Sequence, residues 1–242
     1  MNLSYAIAAL RKRGFRFIYT YAKESLAFDL RHGTRTSARV PKESQSLTGS
    51  TQDAENGLLY VASFTSVTRN SVALAKRLLG EEQFRSFQFL DMGCGKGKAL
   101  LVHALGNADH SIHPSIGIEY DPDLAKIANA NIAKTSLDPE KVKVVVDSAV
   151  EFENFVSSDK LLIYLYNSFQ GETLRAVLRK LKNYQHMLVY VDPAEKEVLH
   201  EFGYVIHQNV QGKYNADTWL LASMNIDNMN QQAAPTEVRA VA

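Results

Sequence analysis

At 242 residues with 45% hydrophobic side chains, the chain has room for one α/β domain with a little left over, or two small ones, around a real core. No run of about 18 apolar residues is present, which excludes a membrane-spanning helix; a single cysteine excludes an intramolecular disulfide and a cysteine-based zinc site and points to a reducing, cytoplasmic compartment. The net charge of +1 hides an asymmetry, because residues 1–45 carry nine Lys or Arg against three acids, leaving 18 basic against 23 acidic residues in the remainder.

The chain opens on a mildly apolar stretch, Met1–Leu10, followed by Arg11-Lys12-Arg13, the reverse of the charge order in a secretory signal. A helix is predicted over Tyr5–Leu30, broken near Gly14. His32–Asn56, rich in Ser, Thr, Gly and charge, reads as a loop or mobile lid. The basic arm could steer an acidic partner, although a solvated helix face is the simpler account of it, and no nucleic-acid motif is indicated. From Leu58 to Ser223, helix and strand patterns alternate, as in a parallel sheet. Ser71–Leu79 is helical, Phe87–Met92 a strand ending in a glycine loop, and Ala99–Gly106 the helix after it. Ser115–Tyr120 is the second strand, followed by the helix Pro122–Thr135 with Asp121 as N-cap. Val142–Val146 is the third strand, with a helix starting near Ala149. Leu161–Tyr166, almost wholly apolar, is a fourth strand covered on both faces. Glu172–Leu181 is helical and Met187–Val191 is the fifth strand. Tyr204–Val210 and Thr218–Ala222 form a closing antiparallel hairpin, and the polar tail Asn225–Ala242 reads as disordered.

The glycine loop Asp91-Met92-Gly93-Cys94-Gly95-Lys96-Gly97 carries the most chemistry. A glycine-rich turn between strand and helix lets a ligand meet the unpaired N–H groups of the helix start. Its spacing, D-x-G-x-G-x-G, differs from the G-x-G-x-x-G of a dinucleotide site, whose third glycine admits a pyrophosphate. An acid opening the loop instead suits a ligand with an ammonium group and no pyrophosphate, such as S-adenosylmethionine. Glu119 ends the second strand, at the place from which a carboxylate reaches ribose hydroxyls, and Asp147-Ser148 ends the third, near where an adenine amino group would lie.

With these motifs the chain resembles the class I S-adenosylmethionine-dependent methyltransferases over roughly residues 57–223. The resemblance implies a Rossmann-like, doubly wound α/β fold with a seven-stranded sheet, mostly parallel and closed by an antiparallel hairpin. That sheet forms a domain at 57–224, with an N-terminal helical or lid extension at 1–56 and a tail at 225–242. It implies that Asp91, Gly93, Gly95 and Gly97 form the cofactor loop, with Lys98 beside it. Glu119 would hold the ribose next to Tyr120, Asp147 or Ser148 would face adenine, and Thr65 would close over the methionine end. Phe89–Lys98 and Leu165-Tyr166-Asn167-Ser168-Phe169 are also similar to motifs of a bacterial subgroup distantly like the non-SET histone-lysine methyltransferases, as is Phe28–Thr34. Two departures stand out. Ser168 replaces a proline, and the third-strand acid falls at Asp147, one position early.

The catalytic candidates are Asn167, Tyr166 and Asp192. Asn167 stands where related enzymes that methylate nitrogen place an Asn or Asp whose carbonyl orients an amine; the alternative is a cap on the next helix. Tyr166 and Phe169 would wall the pocket. Asp192-Pro193 ends the fifth strand, as acid or base or as the start of a helix. No metal site is expected, Cys94 reads as a small loop residue, and His103 reads as structural. The expected activity is methyl transfer to N or O of an unidentified acceptor. A non-catalytic cofactor-binding scaffold and a nucleotide-dependent oxidoreductase are the alternatives. The oligomeric state is left open.

Overall fold

The protein is described by a computed structural model at residues 15–16, 19–37, 61–107 and 112–226. Residues 19–32 are helical; a wide i→i+5 turn at Ala22–Leu26 leads into α1, Ala27–His32. The predicted helix over Tyr5–Leu30 is thus described only in its second half, and Gly14 lies outside the described residues, as do most of the predicted lid and tail. The helices α2 (Thr65–Leu79) and α3 (Glu81–Arg85) precede β1 (Gln88–Met92), α4 (Lys98–Asn107), β2 (Ser115–Glu119) and α5 (Pro122–Ile132). Then come β3 (Val142–Val146), a 3₁₀ turn at Ala149–Asn154, β4 (Lys160–Tyr166), α6 (Gly171–Leu181) and β5 (Gln185–Val191). The fold closes with α7 (Glu197–Phe202), β6 (Val205–Val210), a 3₁₀ turn at Asn215–Asp217 and β7 (Trp219–Met224).

The seven strands form one sheet in the order β3-β2-β1-β4-β5-β7-β6. Neighbours from β3 to β5 pair in parallel, while β7 is antiparallel to both β5 and β6. This is the mostly parallel sheet with a closing antiparallel pair that the resemblance implies. Strand alternation splits the core in two. Phe89, Leu162, Tyr164 and Val189 point to the face covered by α2 and α4, while Leu90, Leu161, Ile163 and Tyr190 point to the face covered by α6 and α7. Central strands buried on both faces read as continuous apolar runs, which is why β4 and β5 are legible from sequence alone.

Differences from the predicted elements are local. The second helix starts six residues earlier than Ser71, because Thr65–Asn70 is polar in part and its apolar face is formed by Val67 and by threonines that find partners. The short helices α3 and α7 carry too few residues for a periodic pattern. Near Ala149 the chain makes a 3₁₀ turn instead of a helix, with Glu151 outside helical geometry. The element after β2 ends at Ile132, where Ala133 caps it, short of Thr135.

The chain winds outward from β1 to β3, then returns to start β4 on the other side of β1. That reversal makes a crevice beyond the carboxyl ends of β1 and β4, the place where open α/β sheets bind ligands.

Candidate active site

The glycine loop lies at this crevice. Gly93, Gly95 and Gly97 have φ of +75°, +54° and +78°, a left-handed geometry that side-chain-bearing residues resist. The turn is pinned by Gly93 and Cys94, whose amides both donate to the carbonyl of Ile118 at 2.9 Å, and by Gly97, which donates to Cys94. A β-carbon at Gly93 would collide with Cβ and Oγ of Ser168, so the loops after β1 and β4 touch at the switch point. Cys94 is buried against Gly117, where a β-carbon would lie 2.8 Å from its Sγ, and burial pushes its thiol pKa up. It is a packing residue without the exposed, electropositive surroundings of a nucleophile.

Two buried carboxylates face this loop. Asp91 Oδ2 accepts the amide of Leu100 at 3.1 Å, and burial, opposed by that bond and reinforced by Glu119, pushes its pKa up to about 7. Glu119 accepts the Gly95 amide at 2.7 Å on one oxygen and that of Asp121 at 3.0 Å on the other. Burial outweighs those bonds and raises it to about 7 as well. Among the described residues neither carboxylate makes an ion pair. Ionisation of this desolvated pair is favoured by a cationic ligand carrying hydroxyl donors and opposed by a pyrophosphate. Asp147, at the end of β3, accepts its neighbour's amide at 2.7 Å, and Ser148 caps the following 3₁₀ turn through Val150. Both, like Tyr120, are half-buried at the rim next to Glu119.

Across the crevice, β4 and β5 end in two residues of unusual backbone. Asn167 has φ +37° and Asp192 φ +49°, strained conformations that cluster at functional sites. They point at each other: Asn167 Nδ2 donates to Asp192 Oδ2 at 3.2 Å, and Asn215 Nδ2 donates to the same oxygen at 3.2 Å. A carboxylate only accepts, so the amide oxygen of Asn167 faces the other way, where Gln170 donates to it at 2.9 Å. Asn167 does not cap α6; the N-cap is Gln170, and the Gly171 amide is taken by Glu195 at 2.8 Å. Asp192 likewise does not start a helix, since α7 begins at Glu197. Tyr166, with its hydroxyl pKa raised by burial and by Tyr164, Asp192 and Asp217, remains a proton donor.

Thr65 and Lys98 converge on the N-terminal segment: Thr65 Oγ1 and Lys98 Nζ donate to the Glu24 carbonyl at 2.8 and 2.6 Å. Glu24's carboxylate in turn accepts the Ser66 amide at 2.9 Å at the start of α2. Lys98 also lies over the Phe28 ring, and burial lowers its pKa to about 8 against the pull of Asp29 and Glu24. Sequence reasoning missed Glu24, Asn215, Gln170, Glu195 and Asn131. Each is an ordinary polar residue; the partners of Glu24, Asn215, Glu195 and Asn131 are distant in sequence, and Gln170, three residues from Asn167, belongs to no recognisable motif. His103, stacked on Phe89 at 3.8 Å and bonded to Ser115, is held neutral by burial with a pKa of about 3, a structural role. No group of metal-ligating residues occurs among the described residues.

No family model matches the chain, and no curated protein matches it in sequence. Among solved structures it is similar to an rRNA methylase from Streptococcus thermophilus, with 10% identity over 64% of this chain and 92% of that one, at a TM-score of 0.45. A precorrin-6y C5,15-methyltransferase from Geobacter metallireducens shares 15% identity over 64% and 87% of the two chains, with a TM-score of 0.46. M. capricolum TrmK, in complex with S-adenosyl-homocysteine, shares 13% over 64% and 66%, with a TM-score of 0.43.

Proposed function

We propose that the protein is an S-adenosylmethionine-dependent methyltransferase acting on N or O of an acceptor held at the carboxyl ends of β4 and β5. The observation that carries this reading is the pair of buried carboxylates Asp91 and Glu119, bonded to backbone amides and without an ion pair among the described residues, around a left-handed glycine turn at the switch point. Bound there, the cofactor would supply a methyl group on a sulfonium, ready for direct displacement. Glu119 would receive the ribose hydroxyls, and the loop amides at Gly93, Gly95 and Gly97 would lie along the nucleoside. Tyr120, Asp147 and Ser148 would line the adenine end. Thr65 and Lys98 would fix the wall behind the methionine end through Glu24.

On the acceptor side, we assign the reactive contact to Asp192. Asn167 and Asn215 both donate to its Oδ2, so the carboxylate is oriented, and it takes a hydrogen bond or a proton from the acceptor's N–H or O–H as attack proceeds. Asn167 then acts as a positioning residue, since its carbonyl is already engaged by Gln170. Tyr166 forms the pocket wall and donates. The exposed Arg16, Lys23, Arg31 and Arg35 support an acidic character in the part of the acceptor that lies outside the pocket. The same reading divides the chain into an extension at 1–56, a methyltransferase domain at 57–224 and a tail at 225–242, in a cytoplasmic protein.

Isothermal titration tests the cofactor assignment. S-adenosylmethionine and S-adenosylhomocysteine bind in the micromolar range, about −8 kcal/mol, and NAD does not compete. Tight NAD binding with no response to either sulfur nucleoside would identify an oxidoreductase instead. Binding without turnover on any acceptor, probed with radiolabelled methyl donor on cell fractions, would identify a scaffold.

A further inference from the structure

We propose that the N-terminal segment is a working wall of the cofactor site, clamped to the glycine loop through Asn131, so that its docking and the loop's geometry are coupled. The segment is built as a knot. Asp29 accepts four hydrogen bonds at its carboxylate, from the Thr34 hydroxyl at 2.6 Å, the Thr36 amide and hydroxyl at 2.8 Å each, and the Ser37 amide at 2.8 Å. These bonds pull its pKa down against burial, so the knot is ionised at neutral pH. Tyr21 closes it by donating to the Ser37 carbonyl at 2.9 Å, and Thr34, Thr36 and Ser37 are buried although none is apolar.

Asn131, on α5 and 1% exposed, joins this knot to the glycine loop. Its Oδ1 accepts the Arg35 amide at 2.8 Å, and its Nδ2 donates to the Lys96 carbonyl at 3.0 Å. Both ends of one buried amide are thus spent on the two segments, and neither alternative residue of similar size can serve both. A leucine would take this partner from both the Arg35 amide and the Lys96 carbonyl, and an ionised aspartate cannot donate to Lys96. The charge pattern runs the same way, since Asp29 opposes the lowering of the Lys96 pKa by burial. On the other side of the loop, Lys98 reaches the Glu24 carbonyl, so the segment grips the loop's Lys96 backbone through Asn131 and its Lys98 side chain directly. A ligand that settles the loop must therefore also settle residues 24–37, and the converse holds by linkage.

The affinity arm of the test rests on the cofactor reading above; the exchange arm does not. Hydrogen–deuterium exchange of the full chain, without ligand, compares wild type with Asp29→Asn and Asn131→Leu. Asp29→Asn breaks hydrogen bonds within the knot and none to the loop, yet amides of 93–98 are expected to exchange faster, while those of β5 and β7 stay as slow as before. Unchanged exchange at 93–98 with 29–37 loosened would overturn the coupling, as would a uniform rise through the sheet, which would mark a merely structural role. Titration with S-adenosylhomocysteine then expects about tenfold weaker binding in both variants, and added ligand should slow exchange at 29–37 in the wild type. Equal affinity in all three proteins overturns the proposal. Failure of the wild type to bind sinks the cofactor reading and leaves the exchange arm to decide the coupling.

Discussion

Glu119 sits 4% exposed with both carboxylate oxygens engaged by amides, and yet burial lifts its pKa to about 7. A folded-state pKa above the ordinary carboxylate value means that the ligand-free fold prefers the protonated form. Its stabilising share is complete below about 4.5 and is lost as pH rises through about 7; Asp91 behaves alike, from its ordinary 3.8 to about 7. The ligand-free protein should therefore melt at a lower temperature at pH 8 than at pH 6, and Glu119→Gln should flatten that difference. Ribose hydroxyls need the carboxylate form, so cofactor affinity should rise with pH through about 7 with release of a proton. Titrations at pH 6 and pH 8 in buffers of different ionisation enthalpy measure both. Glu119→Ala should weaken the cofactor by about 2 to 3 kcal/mol, as two hydroxyls lose a charged partner. At the acceptor end, Asp192→Asn should lower turnover by about two to four orders of magnitude with cofactor affinity unchanged. Asn215→Ala should lower it less, since Asn167 still holds the carboxylate. Equal turnover in Asp192→Asn and wild type would remove Asp192 from the chemistry.

Among the elements, the pair of loops after β1 and β4 shows how steric contact shapes a site. Gly93 combines a φ of +75° with a backbone so close to Ser168 that a methyl group has no room. Gly93→Ala should lower thermal stability and abolish cofactor binding, through a left-handed alanine worth about 1–2 kcal/mol and through the collision. Ser168→Gly in the same chain should recover the collision part only. A double-mutant cycle from thermal melts separates them, and strict additivity would show that the two residues do not meet in solution. Glycine at 93 was predictable from the motif. Its partner was not, because Ser168 reaches it through the pairing of β1 with β4 rather than through sequence proximity.

At the scale of the whole molecule, the N-terminal segment changes standing. Read as sequence it is a basic arm before a lid, separable from the sheet. In the fold Phe28 belongs to the same core as Phe64, Phe89 and Tyr164, and Glu24 ties Thr65 to Lys98. Removal of residues 1–37 should therefore lower the melting temperature and weaken the cofactor together, where a simple acceptor-docking arm would affect neither. Differential scanning calorimetry beside cofactor titration checks this; a truncated chain with wild-type values in both would return the segment to the role of a surface helix.

Most of the sheet was legible from the chain because its determinants are local. Continuous apolar runs mark β4 and β5, alternation marks the closing hairpin, and the D-x-G-x-G-x-G spacing needs left-handed turns that only glycine adopts readily. The candidate carboxylates Asp91 and Glu119 were legible for the same reason, standing at strand ends. The tertiary structure alone decided which polar side chains meet. Asn131 and Arg35 are 96 residues apart, Thr65 and Glu24 are 41 apart, and Asn167 and Asp192 are 25 apart. Asn167, Asp192 and Thr65 stood out one by one from the motifs, but nothing in the sequence says which side chain each of them meets. Asn167 and Asp192 meet because β4 and β5 are neighbours in the order β3-β2-β1-β4-β5-β7-β6, whereas Asn131 and Thr65 meet the N-terminal segment where it docks on α5 and α2, and polar groups buried at such contacts must find partners within hydrogen-bond reach.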